Sequence, residues 1–205
     1  GAIKGVGGAA IENILEEQAK GEFKDIDDFV SRVDNFKVNK KVFESLIKSG
    51  SFDSFGLTRK MMLNNLDNIV EACKNAATIK KNAAESLFGD DESMATVKTS
   101  LVRDDSELEL KTKLKFELES VGIYLSGHPL DEYREQISKI KYTLSDKFDE
   151  LPENGEMLLV GKIEDLTTRI SKKNGKKMGT IEMLDLYGTV EIAVFDRQLG
   201  AVESM

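Results

Sequence analysis

The stretch Ile3-Lys4-Gly5-Val6-Gly7-Gly8-Ala9-Ala10, followed at once by a helical pattern, is the part of the chain whose residue types most directly imply chemistry. Glycine takes positive φ without steric cost and lets the backbone approach a ligand closely, and the amides that open a helix carry a partial positive charge. Such a turn grips a phosphate without net positive charge, and Lys4 adds a point charge beside it. The other chemistry-bearing residues do not assemble. Cys73 and His128 each stand alone in the sequence, which excludes a disulfide framework, a thiolate zinc cage and a multi-histidine metal site. Ser126 and His128 suggest a nucleophile and a base, but the sequence supplies no orienting group, and His128 beside Pro129 reads as a turn residue fixed through its ring nitrogens. Asp27-Asp28, Asp90-Asp91 and Asp104-Asp105 fall at a helix start or in a polar segment and read as solvated charge rather than a two-metal site.

A second anion-contacting candidate is the run Arg169, Lys172, Lys173, Lys176 and Lys177, which no acidic residue interrupts. Asn174-Gly175 forces a tight turn that holds the lysines outward together, either as a solvated hairpin tip or as a phosphate-contacting loop. Such features are local, because 29 Lys+Arg against 37 Asp+Glu give a net charge of −8 and bulk electrostatics cannot bind a polyanion. With 40% hydrophobic and 32% charged residues and only two prolines, the composition is that of a folded, helix-rich chain. Its 205 residues allow one large domain or two small ones, at about 100–200 residues each. No apolar run approaches the roughly 18 residues of a membrane span, and the N-terminus is no signal peptide. A single cysteine suits a reducing cytoplasm.

The elements that must position these residues change character along the chain. Residues 1–77 form an all-helical region: a helix over about Ala9–Lys20 with Ile11, Ile14 and Leu15 on one face, a short one over Ile26–Val33, and a third capped by Asn39. The third carries the stripe Val42, Phe43, Leu46 and Ile47 and stops at Gly50; a fourth, longer helix runs from Thr58 to about Ala77 with Met61, Met62, Leu66, Ile69, Val70 and Cys73 inward. The Gly5-x-Gly7 turn ahead of the first helix has the form of the hairpin in a helix-hairpin-helix module, which binds the DNA backbone irrespective of sequence. Lys48-Ser49-Gly50-Ser51-Phe52-Asp53-Ser54-Phe55-Gly56 is a partial echo that reads as structural. Residues 78–106 read as a mobile linker with one apolar island, Ser86-Leu87-Phe88. Residues 107–150 return to helices, with Leu110, Leu114, Leu118 and Val121 in register, a break at Gly122–Pro129, and a short helix from Asp131. From Glu156 the period turns strand-like, giving three strands joined by tight turns.

Gly1-Ala2-Ile3-Lys4-Gly5-Val6-Gly7, the run from Val38 to Asp53, and Gly122-Ile123-Tyr124-Leu125-Ser126-Gly127-His128-Pro129-Leu130 together resemble the alpha subunits of bacterial DNA polymerase III, the C family of replicative polymerases. The resemblance spans essentially the whole chain in the family's order. It implies an α+β multi-domain fold: a tandem helix-hairpin-helix region (1–77), a linker with a clamp-binding peptide (78–106), connecting helices (107–150), then an incomplete OB-fold barrel (156–205).

The resemblance places Lys4, Gly5, Val6, Gly7 and Gly8 on the phosphates of product duplex DNA. It makes Ala84-Glu85-Ser86-Leu87-Phe88 the peptide that docks on the ring-shaped sliding clamp, with Leu87 and Phe88 as buried anchors and Ala84 where the motif prefers Gln. A linker hydrophobe folded back on its own domain is the alternative. Arg169, Lys172, Lys173, Lys176 and Lys177 would face a single-stranded template on the barrel, where little aromatic stacking surface is expected and Ile192 and Phe195 are either core or surface. The polymerase aspartates of this family lie upstream of these motifs, so the chain is expected to hold no cofactor and to be inactive alone, while the parent polymerase needs Mg. A start without Met and inside a motif reads as a piece of that longer protein. The expected partners are DNA, the sliding clamp and other polymerase III holoenzyme subunits in the bacterial cytoplasm, at the nucleoid, with no membrane. The alternative is an independent, non-enzymatic nucleic-acid-binding or scaffolding protein built from the same modules.

Overall fold

The computed structural model describes residues 3–85, 97–152, 155–170 and 175–202. Eight α-helices and a three-stranded antiparallel sheet occur among them, in two compact units, residues 1–126 and 127–205.

In the first unit, α1 (Gly8–Ala19), α2 (Ile26–Arg32), α3 (Lys40–Lys48), α4 (Arg59–Asn64) and α5 (Leu66–Glu85) surround one apolar core, and α6 (Leu110–Val121) packs on α3. The caps fall where their chemistry dictates. Asn39 accepts the Val42 amide and Thr58 the Met61 amide, each satisfying an orphan donor of the first turn. Val42, Phe43, Leu46 and Ile47 are all buried, and Phe29 packs against Phe43 and Phe52 with ring centroids 5.8 and 4.9 Å apart.

Three sequence expectations need correction. Leu15 is 57% exposed, and the inward position on α1 belongs to Asn13, whose Oδ1 accepts the Asp34 amide at 2.8 Å. The expected fourth helix is two, with Asn65 at the junction off helical geometry at φ −105° and ψ 14°; its side-chain amide donates to the carbonyls of Met61 and Val102, and its Oδ1 accepts the Val102 amide. The second of these helices then runs to Glu85, eight residues past the expected end.

Residues 97–106 fall in the expected mobile linker and residues 107–109 at the expected start of the next helix, yet all of them form an extended strap tied to the first unit. Asp27 accepts the Thr99 amide and hydroxyl, Asn68 donates to the Ser100 carbonyl, and Glu107 accepts the amides of Arg59 and Lys60.

In the second unit, α7 (Arg134–Ser138) follows a 3-10 turn at Asp131–Tyr133. The strands β1 (Lys162–Ile170), β2 (Lys177–Leu184) and β3 (Thr189–Phe195) then pair in the order β1-β2-β3. Helix α8 (Asp196–Val202) packs on β2 and β3 and buries Leu199 with Ile181, Met183 and Val194. The meander is consistent with the opening of an OB-like barrel. Asp185 builds the β2–β3 turn, accepting the amides of Tyr187 and Gly188, and also accepts the amide and hydroxyl of Ser145.

Candidate nucleic-acid interface

The turn that precedes α1 is closed by the Val6 amide, which donates to the Ile3 carbonyl at 3.3 Å. Gly5 occupies its third position at φ 91°, where an L side chain is strained, and a Cβ there would lie 2.5 Å from the Ser45 Oγ of α3. Gly5 therefore serves the fit of this turn against α3. Gly7 is different: it is the N-cap of α1 in an ordinary extended conformation, and a Cβ would meet nothing within 4 Å. Val6 is buried, and the Lys4 amide donates to the Ser120 carbonyl at 2.7 Å, so neither of these amides is available to a ligand.

What remains for an anion is the exposed run Gly7-Gly8-Ala9. No side chain caps it, and it lies ahead of the first helical donors, Ala10 and Ile11, which both reach the Gly7 carbonyl at 3.1 Å. The exposed Lys4 and Lys41 border it; Lys41 Cε comes within 3.9 Å of the Cβ position of Gly5.

A second turn of related placement joins α2 to α3 at Asp34–Val38, a site the sequence reading passed over because it holds no glycine. The amides of Lys37 and Val38 donate to the Asp34 carbonyl at 3.1 and 2.8 Å, and Asp34 Oδ1 accepts the Phe36 amide at 2.8 Å. The Asp34-Asn35 pair was the available signal. The echo at Lys48–Gly56 is structural, as expected. Gly50, at φ 79°, makes room for the guanidinium of Arg59, since a Cβ there would stand 2.2 Å from its Nη2.

The motif around Ser126 is held by a polar cluster that sequence reasoning missed. The α6 stripe was expected to present Leu110, Leu114, Leu118 and Val121. Only Leu114 of these is buried, and the inward face is Leu114, Glu117 and Ser120. Glu117 accepts Arg59 Nη1 at 2.8 Å, the amides of Leu125 and Ser126 at 2.7 and 2.9 Å, and the Ser126 hydroxyl at 2.5 Å. Burial by itself raises the Glu117 carboxyl, but these donors, led by Ser126, outweigh it and hold it below the usual carboxylate range. Arg59 also forks onto Asp53 at 2.7 and 2.9 Å. The Ser126 hydroxyl is thus committed to a carboxylate. His128 serves its own turn, its Nδ1 accepting the Leu130 amide at 3.1 Å while its amide donates to Asp131 at 2.7 Å. Among the described residues no group of His, Cys, Asp and Glu could hold a metal ion, and no helix is long and apolar enough to cross a membrane.

On the sheet, Arg169, Met178 and Phe195 are paired across the three strands and share one face, with Phe195 58% exposed. Ile192 packs on the opposite side with the core. Phe195 and the exposed Tyr187 thus give this unit more aromatic surface than the sequence reading allowed. Lys176 and Lys177 are exposed beside Gly175, at φ 67°, whereas Lys172 and Lys173 lie outside the described residues. Of the expected clamp peptide, Ala84 and Glu85 end α5, and Ser86, Leu87 and Phe88 lie outside the described residues.

A helix-hairpin-helix family model matches residues 1–62. Along all 205 residues the chain is 46% identical to the DNA polymerase III subunit alpha of Campylobacter jejuni, and it is 44% identical to that of Helicobacter pylori J99 and 35% identical to that of Chlamydia pneumoniae, the last over 95% of the chain. The chain is a homologue of DNA polymerase III alpha subunits over its whole length. It spans about 17% of the length of the relatives from Campylobacter and Helicobacter. The alpha-subunit likeness therefore takes in both the turn before α1 and the latched segment that ends at Ser126.

Proposed function

We propose that this chain is a non-catalytic, DNA- and clamp-binding segment of a replicative DNA polymerase, with nucleotidyl transfer performed by other parts of the longer protein. The observation that carries the reading is the exposed, uncapped start of α1 behind the Gly5 turn, within the residues that match a helix-hairpin-helix model. Lys4, Gly5, Val6, Gly7 and Gly8 form this cradle: Gly7 and Gly8 offer amides, Gly5 and Val6 shape the turn, and Lys4 supplies charge. It suits an acidic chain, because oriented amides act where net charge does not.

The sliding clamp is the second partner. The peptide is Ala84-Glu85-Ser86-Leu87-Phe88, of which Ala84 and Glu85 are the last residues of α5, and its Leu-Phe pair suits a hydrophobic groove. Single-stranded template is the third, on the sheet face where Phe195 offers a stacking surface beside Met178, with Arg169 on the far side of Met178 at the start of the basic run Arg169, Lys172, Lys173, Lys176 and Lys177. Other holoenzyme subunits complete the expected set.

Duplex binding is measured by anisotropy across a salt series. A falling log K with log salt, indifferent to sequence, is expected, and no binding at low salt refutes the duplex role. Mixing the chain with purified clamp before and after Leu87→Ala plus Phe88→Ala tests the peptide, and binding that survives the double change refutes it.

A further inference from the structure

Phe36 is the most exposed large hydrophobic side chain among the described residues, at 88%. Single exposed apolar residues are ordinary on protein surfaces, but this one is presented by a fixed apex. Val33 and Val38, at the feet of the turn, are buried in the core, and the three donor bonds to Asp34 set the backbone between them. The ring is therefore held away from the core that its neighbours enter, and little ordering remains to be lost when it meets a partner. Two exposed lysines follow it closely in the chain: Lys37 is next, and Lys41 lies in the first turn of α3, whose Ser45 abuts the Gly5 turn. The nearest carboxylate in sequence, Asp34, keeps its charge and turns one oxygen onto the Phe36 amide, within the turn's own backbone.

We propose that Phe36 is an apolar wedge that enters the minor groove of duplex DNA while Lys37 and Lys41 contact the phosphates on its rims. The proposal rests on the duplex-binding reading above and deepens it. A polyanion fits the lysines, and an apolar contact for the ring requires the interior of a groove rather than the backbone alone. The minor groove, about 6 Å wide, admits one ring on a narrow turn, and phenylalanine is among the residues used to wedge it.

The test compares the full chain with Phe36→Ala and with Lys37→Ala plus Lys41→Ala, titrated against a labelled duplex at several salt concentrations. Phe36→Ala should weaken binding about ten-fold, the loss of one side chain's apolar contact, and leave the salt slope unchanged. The lysine changes should instead lower the slope, by about 0.9 for each phosphate contact removed. Duplex preloaded with a minor-groove-binding drug should bind the wild type no better than Phe36→Ala. A wild type that binds duplex while Phe36→Ala is equal to it, or while the drug leaves their difference intact, overturns the wedge and spares the duplex role. A wild type that binds no duplex overturns both. If Phe36→Ala changes only the oligomeric state in sedimentation, the ring is a self-association contact and the proposal fails.

Discussion

The carboxylate of Glu117, wholly buried on α6, stands 2.8 Å from the guanidinium of Arg59, itself only 2% exposed at the start of α4. Residues 58 positions apart are joined by this pair, and through the other oxygen of Glu117 so is the segment Leu125-Ser126. A string of residue types that looks like a loop in sequence is thereby latched to the helical unit by an acid that looks solvent-facing. Glu117 stays charged because its donors are all internal.

Glu117→Gln removes the charge and leaves Arg59 facing Asp53 alone. Arg59 keeps its fork onto Asp53, so the cost is that of buried donors left short of an acceptor, about 1–3 kcal/mol, read from urea unfolding of the chain. Glu117→Leu should be worse, since the amides of Leu125 and Ser126 would lose their acceptor as well. Unchanged midpoints for both variants would mean that the pair contributes nothing to the fold.

Acid should destabilise the protein through Glu117 and Asp185. Burial raises each carboxyl, but hydrogen bonds outweigh it: Ser126, Leu125 and Arg59 for Glu117, and the amides of Gly188, Tyr187 and Ser145 for Asp185. Each folded value therefore lies below the unfolded one, about 4.3 for Glu and 3.9 for Asp. The unfolded state takes up protons first as pH falls, so the contribution is complete above about pH 5 and drains away below that range. Unfolding free energy measured from pH 6 to pH 3 should fall, and Glu117→Gln and Asp185→Asn should each flatten the curve.

What was legible in the sequence was governed by local rules. Asn39 and Thr58 cap helices through their own side chains, Gly122 ends α6 at φ 82°, and Gly175 at φ 67° and Tyr187-Gly188 fall between strands where expected. The misses around buried polar side chains are long-range. Asn13 replaces Leu15 inside because its acceptor meets the Asp34 amide, 21 positions away. Asn65, at the junction of α4 and α5, pairs its side chain with Val102, 37 positions away, and Glu117 turns inward onto Arg59, 58 positions away. The cradle itself was half legible: the glycine pattern located it, but only coordinates separate Gly5, which fits the turn to α3, from Gly7, which borders open space.

Cys73 should be chemically silent in the folded protein. It is buried in the core, and desolvation pushes its thiol up to about 11 from an ordinary 9.0. Iodoacetamide at pH 8 should label it only after denaturant is added. Between pH 9 and 11 the unfolded chain gives up a proton that the native chain keeps, so stability should fall as pH rises through that window. Labelling at the rate of a free thiol without denaturant would refute its burial.

Gly5→Ala and Gly7→Ala should separate folding from binding. At Gly5 an added methyl meets Ser45 and a left-handed backbone, so a stability loss of roughly 1–2 kcal/mol or more is expected. At Gly7 the backbone suits any residue and the space is empty, so the cost should stay below about 1 kcal/mol, the size of an N-cap change. The two variants should rank the other way per folded molecule in duplex affinity, because a methyl at Gly7 stands where a phosphate must approach the amides. A Gly7→Ala protein that keeps both its stability and its duplex affinity would remove the amide cradle from the binding surface. Duplex contact would then rest on the lysines and the turn at Phe36.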